Sequence, residues 1–161
     1  MDPISAPATF AEAVFRLTFA VVCGAVVGVN REIHQKPAGL RTHALVALGA
    51  GLLVIVGLQL SGSEASGSVS RVIQGIMAGI GFIGGGVILH RDDTRGRQGL
   101  TTAAAIWLVA GLGVTAGLGL WKLAAVALAL GLAVLVGGAP LDRVLRRWRD
   151  ASKPPDAGAD G

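Results

Sequence analysis

The run from Val72 to Leu89 constrains the fold of this chain more than any other segment. Its eighteen residues carry no charge, and six of them are glycine. As an α-helix the run would rise about 27 Å at ~1.5 Å per residue, close to the roughly 30 Å hydrocarbon core of a bilayer. So many glycines would weaken a helix in water, but in lipid the cost of unpaired backbone groups keeps such a segment helical. The run therefore predicts a membrane-spanning helix.

Two glycine pairs in this run have GxxxG spacing: Gly75 with Gly79, and Gly81 with Gly85. Bare helix faces of this kind let neighbouring helices approach closely. We therefore predict that these four glycines pack against other helices, and that this third helix lies at the centre of a bundle.

Four further apolar runs have a suitable length to cross a bilayer: Phe10–Val29, Ala44–Leu60, Gly99–Leu120 and Leu123–Leu141. Only 15% of the chain is charged, against about 25% in soluble proteins. The first run could also be a signal peptide, but it has neither a basic start nor a small-residue cleavage site. The prediction is an all-α integral membrane bundle of five transmembrane helices over residues 10–141, with disordered ends at 1–9 and 151–161.

Two residues inside the first run need an explanation. We expect Arg16 to extend its side chain to the outer interface, as long basic side chains near helix ends do. Cys23, the single cysteine, has no partner thiol for a disulfide or a CxxC metal site, so we predict a small apolar residue inside a helix.

Basic residues are distributed unevenly between the two sides of such a bundle. Arg16, Arg71 and Lys122 fall on one side. The other side has eleven: Arg31, Lys36, Arg41, Arg91, Arg95, Arg97, Arg143, Arg146, Arg147, Arg149 and Lys153. The positive-inside rule then places the N-terminus outside and the C-terminus in the cytoplasm of a bacterial cell, with the protein in the inner membrane as a multi-pass protein.

Residues 142–150 predict a short basic amphipathic helix on the inner leaflet. Its apolar face is formed by Leu141, Val144, Leu145 and Trp148, and its other face by Arg143, Arg146, Arg147 and Arg149. Such a helix binds anionic lipid through its bases. This accounts for the net charge of +4 without a nucleic-acid partner.

An internal repeat relates the two halves of the apolar region. Sliding the sequence by 60 residues gives 15 identities over the 37 positions from Gly24 to Leu60. Each copy would contain a helix, a cytoplasmic loop, the motif Gly-Leu-x-Thr and a second helix. We predict two parallel-repeat hairpins, helices 1–2 and helices 3–4, related by an axis along the membrane normal, with the fifth helix added.

The two cytoplasmic loops contain the candidate functional residues. Thr42, Thr101 and Thr102 stand where a hydroxyl could cap a helix start. Alternatively, the two helix starts converge, and their dipoles favour an anion or polarise a pocket rimmed by Arg31, Glu32, Arg41 and Arg91. The complete candidate set is Asn30, Arg31, Glu32, Gly39, Leu40, Arg41, Thr42, Arg91, Gly99, Leu100, Thr101 and Thr102.

Other polar groups are weaker candidates for functional sites. Arg71 and Gln74, near the outer face, either bond to neighbouring helices or extend to the interface. Glu32 with Asp92 or Asp93 is a weak candidate for a divalent metal site, because hard cations take carboxylate oxygens but these acids are ringed by arginines. No catalytic motif or nucleophile–base pair is present. We therefore expect no enzyme activity and no cofactor.

Three segments resemble the signature segments of the MgtC/SapB family of bacterial inner-membrane proteins. They are PAGLRTHALVALGA at residues 37–50, the 71–89 stretch ending GIGFIGGGVIL, and GLTTAAAIWLVAGLG at residues 99–113. The resemblance covers about residues 15–141. It implies a five-helix membrane protein linked to adaptation to low magnesium. Some members modulate other membrane machines, including the F-type ATP synthase, and so act on ATP level and membrane potential.

The chain departs from the family pattern at four positions. Asn30 stands where the family usually has an acid, and Gln98 where a base commonly precedes the Gly-Leu of helix four. Thr101 and Leu108 stand where some members have Asn and Cys. Longer members also have a soluble C-terminal domain, and we interpret this chain as a short form without one.

The sequence leaves three classes of function open. The favoured one is a regulator or accessory protein that contacts other inner-membrane proteins, or a second copy of itself, through its glycine faces. The alternative is a small ion or solute transporter or channel for Mg²⁺ or K⁺, which the parallel repeat and paired helix starts favour. A purely structural lipid-binding role is supported only by the basic C-terminal helix.

Overall fold

The computed structural model describes residue 6 and residues 9–61, 65–89 and 96–151. All regular secondary structure within these residues is α-helical, in five helices: α1 Phe10–Ile33, α2 Leu40–Ser61, α3 Ala65–Leu89, α4 Gly96–Gly117 and α5 Trp121–Ala151. Each contains a stretch long and apolar enough to cross a membrane. The predicted five-helix bundle is confirmed. The predicted disordered ends lie almost wholly outside the described residues.

Helices α2 and α4, not α3, occupy the centre of the bundle. Half of the α4 span and 39% of the α2 span are buried, against 17% of the α3 span. Within the described chain, α1 and α3 each pack on both central helices but not on each other, and α5 packs on α4 and α1. The prediction of a central third helix is therefore wrong.

Two apolar clusters fill the spaces around the central pair. Val54, Ile76 and Ile106 belong to the cluster where α3 packs on α2 and α4. Val27 and Leu112 belong to the cluster on the other side, where α1 and α5 pack. Large apolar side chains also remain exposed around the bundle, as expected of a surface solvated by lipid.

Close helix contact occurs at other glycines than those predicted. A Cβ on Gly113 of α4 would lie 2.3 Å from the Ala47 carbonyl oxygen of α2, and one on Gly24 of α1 would lie 2.5 Å from the His43 oxygen. These distances are far below ordinary contact, so only glycine permits the observed approach. The internal repeat itself stays a prediction, although the pairing of α1 with α2 and of α3 with α4 is what it requires.

The predicted packing glycines of α3 meet no other described residue. Within the described part of the chain, no heavy atom lies within 4 Å of a Cβ built on Gly75, Gly79, Gly81 or Gly85. The inward face of α3 is instead made by branched side chains, Val69, Ile76 and Ile80 among them. GxxxG spacing predicts a bare face, but it does not specify which way that face points. The prediction that these four glycines pack against other helices of the same bundle was wrong.

The short connection between α1 and α2 is fixed by backbone and carboxylate hydrogen bonds. Gln35 has a left-handed φ of 51°, and the amides of Gln35 and Lys36 donate to the carbonyls of Glu32 and Arg31 at 2.9 and 3.0 Å. This is a Schellman ending, in which glycine is usual at the left-handed position. The Leu40 amide then donates to Glu32 Oε2 at 3.0 Å. Glu32 thus caps α2 from across the loop.

The capping hypothesis for the threonines is accordingly wrong. Because α2 begins at Leu40, Thr42 lies inside its first turn. Because α4 begins at Gly96, Thr101 and Thr102 lie in its second turn. The predicted helix over residues 142–150 is continuous with α5, which extends to Ala151 without a break. The placement of that segment on the inner leaflet stays a prediction.

Candidate functional site

A buried polar cluster joins three helices at one end of the bundle, which we call the Arg31 end. Arg31 near the end of α1, His43 in the first turns of α2 and Thr102 of α4 are exposed by only 4%, 0% and 0%. Arg31 Nη2 donates to Thr102 Oγ1 at 2.5 Å. His43 is close enough to Arg31 for the two side chains to interact electrostatically. The cluster therefore places one cationic and two neutral polar side chains where no solvent reaches them.

Two polar atoms of this cluster have no hydrogen-bond partner among the described residues. They are Arg31 Nε and His43 Nε2, both inaccessible to solvent. His43 Nδ1 lies 2.9 Å from the carbonyl oxygen of Gly39. Because a carbonyl only accepts, Nδ1 has the proton, and in the neutral ring Nε2 is an acceptor. Arg31 thus offers an unused donor, and His43 offers an unused acceptor.

Glycines in α1 bring the cluster together. Gly28 lies so close to α2 that a Cβ there would be 2.6 Å from the Cα of Leu40, and Gly24 is equally close to the backbone of His43. This contact moves the start of α2 against the end of α1. The imidazole of His43 consequently enters the interface that α1 and α2 share with α4.

The structure separates the predicted site residues into two groups. Arg31 and Thr102 meet in the cluster, and Glu32 caps α2 beside it. The side chains of Leu40, Arg41, Thr42, Leu100 and Thr101 are exposed, and Asn30, Gly39 and Gly99 are half-buried. Arg91, Asp92 and Asp93 lie outside the described residues. One buried contact joins the end of α1 to α4, and the convergence of the starts of α2 and α4 on an anion stays a prediction.

His43 is the member of the cluster that sequence reasoning missed. It belongs to the buried stripe of α2, which continues through Ala47, Ala50, Val54 and Leu58 at helical spacing. A polar residue at the head of an apolar stripe is the signal that could have identified it. The neighbouring Gly-Leu-x-Thr motif was identified instead, because it recurs in both loops.

Arg16 lies at the opposite end of the bundle and is buried, exposed by 3%. Its Nη1 donates to the Gly117 carbonyl at 2.9 Å, and its Nη2 pairs with Glu12 Oε1 at 2.5 Å. Gly117 is the last residue of α4, where a cation is favoured by free carbonyls and by the helix dipole. The expected extension of Arg16 to the interface is therefore wrong.

The remaining polar predictions fall on exposed positions. Arg71 and Gln74 are exposed on α3, and within the described chain neither side chain hydrogen-bonds to a neighbouring helix. Among the described residues no group of three His, Cys, Asp or Glu side chains is placed to hold a metal ion. Cys23 is buried within α1, so the prediction for the cysteine is confirmed.

Comparison with known proteins identifies relatives over most of the chain. The model of the MgtC family matches residues 17–144. Protein SrpB of Synechococcus elongatus is 41% identical over 161 aligned residues, which cover 89% of this chain and 88% of that protein.

Protein MgtC of Salmonella typhimurium is 40% identical over 109 residues, which cover 68% of this chain and 45% of that protein. An uncharacterized protein of Haemophilus influenzae is 40% identical over 110 residues, which cover 46% of its length. This chain thus corresponds to less than half of these two relatives. No solved structure matches it.

Proposed function

Because the chain belongs to the MgtC family of multi-pass membrane proteins, we propose that it is a bacterial inner-membrane regulator or accessory protein that acts through helix contacts with other membrane proteins. The role follows from the family resemblance: adaptation to low magnesium, and ion or ATP homeostasis. The observation that favours contact-mediated action is the open face of α3.

That face, which we call the glycine face, consists of Gly75, Ala78, Gly79, Phe82 and Gly86. All five residues are exposed, and Phe82 is exposed by 86%. They recur at intervals of three, four and seven residues, so they lie on one side of the helix, away from Ile76 and Ile80. The five helices, as far as the structure describes them, do not use this surface for their own packing.

A face of this shape suits a second helix better than lipid. Glycines let helix backbones approach closely, and van der Waals packing then drives association where no hydrophobic effect operates between helices. Phe82 provides a large apolar projection beside the flat surface, and it can fill a space on a partner. A transmembrane helix of another protein, or of a second copy, is the proposed occupant.

Site-specific photocrosslinking in native membranes tests this proposal. A photoreactive residue at Phe82 should give discrete protein adducts, whereas one at the exposed Leu130 of α5 should give mainly lipid adducts. The substitution Gly79→Leu should abolish the Phe82 adducts. Gly137→Leu is the matched control, because Gly137 is also open but lies on α5. Lipid adducts alone at Phe82 would contradict the proposal.

A second assay separates regulation from transport. Cells that depend on this protein for growth at low Mg²⁺ should lose that growth with Gly79→Leu and keep it with Gly137→Leu. Reconstituted protein should leave Mg²⁺ and K⁺ gradients across liposomes unchanged. Ion flux that Gly79→Leu leaves intact would favour the alternative, a small ion carrier.

A further inference from the structure

The two buried arginines of α1 differ in how their charges are balanced. Arg16 and Arg31 are fifteen residues apart on α1, and their contacts on α4, Gly117 and Thr102, are also fifteen apart. The helices therefore run antiparallel, with one arginine at each end of α4. Arg16 faces the carbonyl end and is paired with Glu12. The charge of Arg16 is therefore balanced by the ion pair with Glu12 and by the dipole of α4.

Arg31 has no ion pair among the described residues. It lies in the last turn of α1, whose carbonyl end favours a cation, but it also lies near the amino-terminal turns of α2 and α4, where the helix dipoles add positive potential. Within the described chain no carboxylate pairs with it, and the neighbouring Glu32 bonds to the Leu40 amide. A guanidinium buried without a counter-charge is strongly destabilising. The electrostatics of this end therefore favour an anion.

The unpartnered atoms define which anion fits. Arg31 Nε is a donor and needs an acceptor, while His43 Nε2 in the neutral ring needs a donor. A water molecule meets both needs but leaves the charge unbalanced. A halide or sulfate balances the charge but presents only acceptors. An oxyanion with one O–H group meets all three requirements.

We propose that Arg31 and His43 form a binding site for a small oxyanion that has one proton, of the hydrogen carbonate or hydrogen phosphate class. One ionised oxygen accepts from Arg31 Nε, and the O–H group donates to His43 Nε2. Because both side chains are almost wholly buried, we restrict the proposal to ligands of a few heavy atoms.

The test compares anions on the purified full-length protein in nanodiscs of zwitterionic lipid. Isothermal titration at neutral pH and constant ionic strength would use bicarbonate, inorganic phosphate, sulfate and chloride. Bicarbonate or phosphate should bind roughly 10²-fold or more tightly than sulfate and chloride, because a site built to accept from an O–H rejects ligands that lack one. Which of the first two binds identifies the ligand.

Two outcomes on the wild-type protein would overturn the proposal. One is that none of the four anions binds, which would leave the cluster a structural one. The other is that sulfate or chloride binds as tightly as bicarbonate and phosphate, which would reduce the site to a non-selective positive charge. Neither outcome depends on whether a variant folds.

Substitutions locate the site. Arg31→Gln should abolish binding, and His43→Phe should reduce it at least tenfold by removing the acceptor. The matched controls are Arg41→Gln and His34→Gln, since both residues are exposed at the same end of the bundle. Unchanged binding in a folded Arg31→Gln variant, or equal losses in the controls, would contradict the assignment.

Discussion

The sharpest test of the fold is the substitution Gly113→Ala at the contact between α2 and α4. The added methyl would lie 2.3 Å from the Ala47 oxygen and 2.9 Å from its Cα and carbonyl carbon. All three atoms are backbone, so no side chain can rotate away. The two central helices must separate by about 1 Å, which forfeits a quarter to a half of each local dispersion contact.

The expected change in the free energy of unfolding is the difference between two opposing terms. Overpacking in a well-packed core costs about 1–3 kcal/mol, and an interface of two helix backbones is at the upper end. Alanine regains up to ~1 kcal/mol of helix propensity. We expect Gly113→Ala to lower the free energy of unfolding by about 2 kcal/mol, measured by SDS titration in mixed micelles with circular dichroism.

Gly111→Ala provides the control on the same helix. None of the described residues comes within 4 Å of a Cβ at Gly111, so the substitution adds only helix propensity and should stabilise the protein by up to ~1 kcal/mol. The two variants should differ by about 3 kcal/mol although they lie two residues apart. Equal stabilities would refute the close approach of α2 and α4.

Three further outcomes test other parts of the structure. Gln35→Gly should stabilise the protein by about 0.4–1 kcal/mol in the same titration, because glycine adopts the left-handed conformation without strain. Thr102→Val should destabilise by about 1–3 kcal/mol by removing the acceptor of a buried guanidinium, whereas the exposed Thr42→Val should change stability by less than ~0.5 kcal/mol. In a variant without the native cysteine, an impermeant thiol reagent added to intact cells should label Lys122→Cys but not Arg41→Cys. The opposite labelling would reverse the predicted orientation.

The helical fold could be predicted because a bilayer allows few alternatives. Apolar runs of suitable length, separated by polar loops, predicted all five spans. The start of α2 could not be placed from the same pattern. Leu40 begins that helix because Glu32, eight residues earlier, accepts its amide hydrogen bond, and such a contact depends on the loop conformation.

The arrangement of the helices was harder to predict than their number. The glycines of α3 indicated a helix made for close packing, but the close contacts within the chain occur at Gly24, Gly28 and Gly113. Glycine spacing in a sequence indicates that one face of a helix has no side chains. Only the three-dimensional arrangement shows whether that face meets its own bundle or is left for another molecule.

Only part of the candidate site could be predicted from the sequence. Arg31 and Thr102 belong to a recurring motif and were identified, whereas His43 lies beside the motif and was not. Arg16 was interpreted as an interfacial residue because its position near a helix start suggests a short route to water. Its actual partner, the carbonyl of Gly117, is 101 residues away in sequence.

The two halves of the bundle are unequal at the Arg31 end, and this bears on function. Under the proposed 60-residue repeat, Gly24 corresponds to Gly84 and His43 to Ala103. A Cβ on Gly24 would collide with the His43 backbone, whereas one on Gly84 would lie 3.4 Å from the Ala103 methyl. The first half is thus the more tightly closed and has the imidazole, while the matching place in the second half has only a methyl. If the chain arose by duplication, the buried arginine and imidazole belong to one copy, whereas Thr102 and the open glycine face belong to the other.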